Sequence, residues 1–267
     1  MNYKLSRLKN GVRVLTVPLP KMESATLTVW VGVGSRYELD RVAGISHFLE
    51  HMVFKGSVKR PSAKLIAEAV DSIGAEFNAS TSKEWTNFHI KARAGVMDIA
   101  FDVLSDMVLR PILKPEEIER EKGVIVEEIA MYEDTPVAKI GDVFEQLIFK
   151  GTSLGRDITG TKGTVREIKR NDFAKYRGEH YFAKNILITV AGGIDSKNAL
   201  ELTNKYFSSV SSGKKSKIEI SKKQKKPQVL LHSKKKEQAH FILGFLGNKR
   251  DNKDRFTEAV LASILGG

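Results

Sequence analysis

The feature that most constrains the fold is a cluster of three polar residues, His47, Glu50 and His51, inside an apolar run of helical length. Residues i and i+4 of an α-helix lie one turn apart on the same face. The spacing therefore predicts a helix on which both imidazoles reach one ion and Glu50 emerges beside them. Two histidine nitrogens suit tetrahedral zinc, and a catalytic zinc keeps one position open for water. The cluster predicts a zinc site with an adjacent general base.

The alternative to a metal site is that these histidines are ordinary core residues. A lone histidine in an apolar segment is more often a hydrogen-bonded core residue than a ligand. In a shuffled chain of this composition, however, the HxxEH pattern would occur only about 0.01 times. Burying two imidazoles and a carboxylate without a metal would also cost roughly 1 to 3 kcal/mol for each group left without a partner. The three residues together favour a metal site.

A third protein ligand must come from elsewhere, and the sequence has no cysteine to supply it. The best candidate segment, Pro115–Tyr132, begins with proline and carries acids in its first turn, as helix N-termini do. Glu121 and Glu128 are seven residues apart and share a face of this predicted helix, whereas Glu127 points about 100° away from Glu128. A charged helical face is usually just solvated. The heptad-spaced pair beside an apolar stripe makes this helix the candidate source of the ligand.

The motif HFLEHMVFKGS, followed by the acidic helix with VIVEEIAMYEDTP, resembles the M16 family of zinc metallopeptidases. This pitrilysin and insulinase superfamily includes mitochondrial processing peptidase, and HxxEH is the inverzincin order. Three further segments carry the resemblance, namely Gly74–Ser82, Leu154–Thr161 and Glu237–Gly244. The resemblance covers the chain to its last residue, and the chain would correspond to the N-terminal catalytic half of such a protein.

The resemblance implies roles for the polar residues. His47, His51 and Glu128 would bind Zn²⁺, Glu50 would be the general base, and Glu121 would support the catalytic site. Glu127 is the fallback third ligand if the register is one residue off. In this chemistry zinc polarises the scissile carbonyl and acidifies its water, and Glu50 moves the proton to the leaving amine. A serine or cysteine nucleophile lacks support. The GxSxG match at Gly151–Gly155 follows a predicted helix, whereas a nucleophile elbow follows a strand, and the sequence has no cysteine.

Two segments are predicted to contact a peptide. Gly74–Ser82 reads as an extended strand that could pair with an unfolded peptide, and its resemblance to the family's substrate-binding edge strand points to Asn78 and Ala79. The alternative is an ordinary strand within a sheet. Phe54 matches an aromatic residue that lines the pocket just beyond the cleaved bond in the family. The alternative there is a core phenylalanine on an amphipathic helix.

The chain departs from the family pattern at one specificity position. In the mitochondrial processing enzyme, two acids on the helix after the third ligand receive a substrate arginine, and the corresponding residues here are Ala138 and Asp142. A single exposed carboxylate gives weak selection. We therefore predict no strict arginine requirement near the cleavage site.

The net charge of +12 raises the question of nucleic-acid binding. Much of the excess lies in a lysine-rich tract, and residues 211–227 contain no interleaved aromatic residue, so stacking platforms are missing. Recognition signatures for DNA or RNA are also missing. A solvated linker explains the lysines better. We expect peptide substrates and no nucleic-acid partner.

Hydropathy and cysteine content indicate the cellular compartment of the protein. The sequence contains no apolar stretch of membrane-spanning length, and its first residues lack the apolar core of a signal peptide. The absence of cysteine fits a reducing compartment. We expect a cytoplasmic protein with no membrane partner.

Helical and strand patterns interleave along the chain, which predicts an α+β fold with helices packed on a largely antiparallel sheet. Helices are predicted at Gly44–Phe54, Ala63–Ile73, Gly95–Leu109, Pro115–Tyr132, Val137–Phe149, Asn171–Tyr181, Ser196–Phe207 and Arg255–Leu265. Strands are predicted at Leu5–Leu15, Thr26–Val33, Glu76–Thr81, Thr86–Ala92, Ile186–Ala191, Val229–Leu231 and Ala239–Leu246.

Three regions follow from these patterns. We predict an M16-like peptidase domain over residues 1–210, a lysine-rich linker over 211–227, and the start of a second, metal-free M16-like domain over 228–267. In an alignment of the two regions, Thr257 and Leu261 fall where the histidines stand.

Two functions from different classes remain at this point. Family subunits continue with a whole second domain, so we expect this chain to be a catalytic-half fragment of a zinc endopeptidase. It would bind zinc and cleave poorly alone unless a second M16-like subunit, in a homodimer or heterodimer, completes it. The alternative is a noncatalytic zinc-binding structural or regulatory subunit of a larger complex. Such members usually lose part of HxxEH, and its retention here favours the enzyme.

Overall fold

The computed structural model describes residues 2–214, 226–234 and 238–266. In these residues, α-helices pack against one six-stranded sheet with the strand order β1-β2-β6-β3-β5-β4. The strands are β1 Lys4–Arg7, β2 Arg13–Pro18, β3 Ser24–Val31, β4 Glu76–Thr81, β5 Thr86–Arg93 and β6 Ile186–Gly192. The helices are α1 Ile45–Val53, α2 Ala63–Asp71, α3 Met97–Leu109, α4 Pro115–Asp134, α5 Pro136–Ile148, α6 Lys162–Glu167, α7 Arg170–His180, α8 Ser196–Phe207 and α9 Arg255–Ile264.

The sheet is largely antiparallel, as the sequence predicts. β2 and β6 pair in parallel, and the other neighbouring strands pair antiparallel. The central strands are rich in β-branched residues, which pack well on a pleated surface, and their side chains alternate between deeply and partly buried positions along β6. This confirms the predicted α+β class.

The predicted strand Leu5–Leu15 is wrong as a single element. The chain reverses within it, where the Gly11 N–H donates to the Leu8 carbonyl at 3.0 Å and the Leu8 N–H donates to the Val12 carbonyl at 2.9 Å. Gly11 adopts φ +105°, a conformation that glycine tolerates and other residues rarely adopt. The turn contains Lys9, Asn10 and Gly11, and Asn-Gly is a local hairpin signal that the single-strand prediction overlooked.

Helix α1 lies in the core, against the sheet and between α4 and α7. Its apolar residues Phe48, Leu49 and Val53 are completely buried, and the Phe48 ring meets Phe173 of α7 edge to face with centroids 5.0 Å apart. Burying a side chain of this size contributes about 1.5 to 3 kcal/mol. The helix that carries HxxEH is therefore held rigidly on several sides.

The C-terminal region differs from the sequence prediction. Val229–Leu231 and Ala239–Leu246 were predicted as strands, but the structure assigns no strand to either segment. A strand needs a hydrogen-bonding neighbour, and the described residues give these segments none. The predicted final helix is confirmed as α9.

One sequence prediction falls largely outside the described residues. Positions 215–225 of the predicted linker are not described by the structure, and neither is position 237, the first of the resembling segment Glu237–Gly244. Of the helices that are described, none combines the length and apolar character needed to cross a membrane.

Candidate metal centre and substrate cleft

The N-terminus of α1 is fixed by a buried acid. The two carboxylate oxygens of Glu38 accept hydrogen bonds from the backbone N–H groups of Gly44 at 2.7 Å and Ser46 at 2.8 Å. A helix leaves its first N–H groups without intrahelical partners, and these bonds satisfy two such groups. Burial raises the pKa of Glu38 to about 7, against the opposing effect of hydrogen bonds from Ser46 and Gly44.

A second contact at the same helix end requires glycine. Gly44 adopts φ +96°, and a Cβ atom there would lie only 2.5 Å from the carbonyl oxygen of Thr159. The Thr164 hydroxyl donates a 2.7 Å hydrogen bond to the Ala43 carbonyl. The loop before α6 is thus packed against the start of α1, which fixes the position of the HxxEH helix relative to that loop.

Three predicted ligands meet at one point. His47 and His51 approach each other with their Nε2 atoms 3.2 Å apart. Glu128 Oε2 lies 3.6 Å from His47 Nε2 and 3.7 Å from His51 Nε2. These residues form a group of donors that could hold a metal ion. Glu127, the fallback ligand, is exposed.

The three donor atoms fit zinc. Tetrahedral zinc with bonds of about 2.0 to 2.2 Å places neighbouring donors about 3.3 to 3.6 Å apart, close to the observed separations of 3.2, 3.6 and 3.7 Å. Two imidazoles and one carboxylate are also a donor set of catalytic zinc sites that keep a position open. Burial, followed by the neighbouring His51, lowers the pKa of His47 to about 4. His47 is therefore neutral near pH 7, as a ligand must be.

Glu121 fixes the orientation of His51. The Glu121 carboxylate, only 3% exposed, lies 2.9 Å from His51 Nδ1 through Oε1 and 2.7 Å from the Lys55 ammonium through Oε2. Burial alone would raise the pKa of Glu121, but hydrogen bonds from His51 and Lys55 outweigh it and hold the pKa below its usual value. An ionised Glu121 accepts a hydrogen bond from the Nδ1–H of His51, which leaves the Nε2 lone pair of His51 facing Glu128.

Glu50 lies at the same cleft as His47 and Glu128. Its carboxylate accepts a hydrogen bond from the Thr81 hydroxyl on β4. Burial raises the pKa of Glu50, the Thr81 hydrogen bond and His51 oppose this effect, and Glu128 adds to it. A carboxylate with a raised pKa is better matched to proton transfer near neutral pH.

Strand β4 is an edge strand beside this centre, with a strand partner on one side only in the described structure. Its hairpin closes with a 2.8 Å hydrogen bond from the Ser82 N–H to the Trp85 carbonyl. Antiparallel strands alternate hydrogen-bonded and non-hydrogen-bonded positions. The backbone groups of Thr81, Ala79 and Phe77 therefore face the open edge.

The two predicted binding residues of β4 differ in what they present. The outward N–H of Ala79 is occupied by the side chain of Asn78, whose Oδ1 accepts it at 2.8 Å. Asn78 itself pairs through its backbone with His89 of β5. Ala79 therefore offers its backbone at the open edge, and Asn78 offers its side chain.

Phe54 lies apart from the metal group. It is partly buried, packs against the core, and meets the Phe77 ring with centroids 5.2 Å apart. The residues that line the cleft around Glu50 do not include it. A contact between Phe54 and substrate stays a prediction.

The cleft has a volume of about 740 Å³ and extends from the metal group to α5 and the loop before α6. Ala138 and Asp142, the two positions that the resemblance singled out for specificity, both line it. Asp157 and Glu145 add carboxylates that sequence reasoning missed. Asp157 falls within Leu154–Thr161, a segment that carried the resemblance, but no local pattern indicated that it would face α5.

Two imidazoles and a glutamate converge beside a second glutamate, in a cleft bordered by an open strand edge. These are the features of a metallopeptidase site. The sequence matches the family model described as insulinase (peptidase family M16) over residues 13–162. A second model, described as peptidase M16 inactive domain, matches residues 167–267. The chain belongs to peptidase family M16, which confirms the resemblance.

Individual relatives agree with this assignment. An uncharacterized zinc protease of Rickettsia bellii is 37% identical over 269 residues, which cover 100% of this chain and 64% of the relative. The uncharacterized zinc protease YmxG of Bacillus subtilis is 37% identical over 260 residues, covering 97% of this chain and 63% of the relative. A crystal structure of a protease from Helicobacter pylori superposes with a TM-score of 0.76 at 26% identity, covering 83% of this chain and 53% of that one. The chain thus spans less than two thirds of the length of these relatives.

Proposed function

We propose that this chain is the catalytic part of a zinc-dependent endopeptidase that hydrolyses extended or unfolded peptides. The observation that carries the proposal is the convergence of His47, His51 and Glu128 at separations suited to zinc, with Glu50 in the same cleft. Two relatives that cover nearly the whole chain are named zinc proteases.

Each residue has a distinct task in this proposal. His47, His51 and Glu128 would hold the zinc ion, which supplies polarisation of a carbonyl and acidification of a water molecule. Glu50, with its raised pKa, accepts a proton from the attacking water and returns it to the leaving nitrogen. Thr81 holds the Glu50 carboxylate in place. Glu121 keeps the His51 ring in one orientation.

Substrate would bind by strand addition to β4. The backbone groups of Phe77, Ala79 and Thr81 face the open edge, and a peptide paired there would pass Glu50 because Thr81 contacts it. Asn78 would release the Ala79 N–H to the peptide, and its carboxamide would then be available to the same peptide. A second M16-like subunit, in a homodimer or heterodimer, would complete the substrate chamber.

A comparison of three samples tests the proposal. Purified chain loaded with zinc, the same chain treated with a chelator, and zinc-loaded Glu50→Gln would be incubated with an unstructured peptide, and fragments would be identified by mass spectrometry. We expect slow internal cleavage by the first sample only, because loss of the base or the metal removes proton transfer or charge stabilisation.

Metal analysis of the same samples separates the two functions considered from the sequence. Glu50→Gln should retain zinc, since Glu50 is outside the ligand group. Bound zinc with no cleavage in any sample, including one supplied with a second M16-like subunit, would favour the noncatalytic subunit.

A further inference from the structure

Lys139 of α5 lies in the cleft wall beside two aspartates, Asp142 and Asp157. Its ammonium lies 3.7 Å from Asp157 Oδ2 and 3.9 Å from Asp142 Oδ2. Only 18% of the Lys139 side chain is exposed, and all three residues line the cleft. One lysine therefore faces two carboxylates that come from different parts of the chain.

The other two lysines of this lining have acids of their own. Lys83 forms a 2.9 Å ion pair with Glu145 and also donates to the Arg156 carbonyl. Lys162 forms a 2.8 Å ion pair with Glu133. Each of these two lysines thus forms a direct ion pair with one acid. The group of Lys139, Asp142 and Asp157 instead carries one positive and two negative charges.

The geometry of this group leaves both carboxylates open to the cleft. The separations of 3.7 and 3.9 Å are too long for hydrogen bonds from the ammonium. Asp157 is held from behind by Gln146, whose Nε2 donates to Oδ1 at 3.1 Å. Asp142 lies one turn from Ala138 on α5, and its side chain is 38% exposed. A cation between the two acids is thus supplied by the protein itself.

We propose that Lys139 sets the side-chain preference of the cleft by filling its cation position, so that peptides with an uncharged side chain at this position are accepted as well as basic ones. This inference rests on the proposed function, because it assumes that the cleft binds peptides. A substrate guanidinium entering the group would gain attraction from Asp142 and Asp157 and meet repulsion from Lys139 at similar distances. Without Lys139, the same two acids would favour a basic side chain.

Binding measurements on matched peptides test this inference. Fluorescent extended peptides would carry either arginine or citrulline at one position, scanned along the sequence; citrulline has nearly the shape of arginine and no charge. Zinc-loaded wild type, Lys139→Gln and Lys139→Arg would be compared by fluorescence anisotropy. Lys139→Arg is the matched control, because it keeps the positive charge.

We expect wild type and Lys139→Arg to bind the two peptides within about threefold of each other at every position. Lys139→Gln should favour arginine about fivefold at one position, which is the upper end of what one partly exposed ion pair contributes. Adding Asp157→Asn to Lys139→Gln should remove most of that gain. Circular dichroism and zinc content would confirm that the variants are folded and loaded.

Two results would overturn the inference alone. One is an unchanged arginine-to-citrulline ratio in Lys139→Gln while citrulline peptides bind as in wild type, and the other is a strong arginine preference already in wild type. Failure of every peptide to bind any zinc-loaded variant would instead overturn the proposed peptide cleft and the inference with it.

Discussion

Replacing Glu121 by glutamine isolates the contribution of the acid behind the metal centre. Glutamine has the same shape and keeps one acceptor oxygen for His51, but it removes the negative charge that pairs with Lys55 and polarises the imidazole. The carboxylate is nearly fully buried, at 3% exposure, and its two contacts are 2.9 Å and 2.7 Å long. Charge-assisted bonds of this kind are about twice as strong as neutral ones.

The expected effect is a loss of zinc affinity. Partners that orient a ligand histidine typically contribute 10-fold to 100-fold in metal affinity, which corresponds to about 1.4 to 2.7 kcal/mol. A competition titration against a chromogenic chelator measures this directly. Glu119→Gln is the matched control, since Glu119 lies on the same helix, is 71% exposed in its side chain and pairs with Lys122 rather than with a residue of the metal centre. Wild-type zinc affinity in Glu121→Gln, or an equal loss in Glu119→Gln, would show that the Glu121 charge does not support the metal centre.

Three further predictions address the elements around the centre. The pKa of Glu38 is about 7 in the folded state against an ordinary 4.5, so its favourable contribution is complete below pH 4.5 and is lost as pH rises through 7. In denaturant titrations of metal-free protein, the stability of wild type relative to Glu38→Gln should therefore fall by up to about 3 kcal/mol across this range, and a constant difference would contradict the assignment. Gly44→Ala should destabilise the fold by about 2 kcal/mol or more, because of its positive φ and the 2.5 Å approach to Thr159; a wild-type melting temperature would argue against that packing. Ala79→Pro, which removes an outward N–H on an edge strand where proline is tolerated, should weaken peptide binding about tenfold while Ala79→Gly retains it; equal binding by both would exclude strand addition at β4.

The metal centre could be predicted from the sequence because its signals are local. His47 and His51 are one helical turn apart, and Glu121 and Glu128 are two turns apart, so periodicity alone placed each pair on one face. Periodicity does not show whether the two faces meet. The structure shows that they do, with Glu128 Oε2 at 3.6 Å and 3.7 Å from the Nε2 atoms of His47 and His51.

The residues that sequence reasoning missed depend on long-range contacts. Thr81 reaches Glu50 because β4 lies beside α1, and Asp157 reaches Lys139 because the loop before α6 folds against α5. Neither pair is marked by a spacing in the chain. The wrong strands at Val229–Leu231 and Ala239–Leu246 show the converse problem, since a short apolar run forms a strand only where a neighbouring strand is present to pair with it.

Anomalous X-ray diffraction at the zinc absorption edge, on crystals grown with zinc, would show where the ion binds. We expect one strong peak within about 2.0 to 2.2 Å of His47 Nε2, His51 Nε2 and a Glu128 carboxylate oxygen. A peak held by other residues, or zinc-soaked crystals with no peak between the two histidines, would contradict the proposed metal centre.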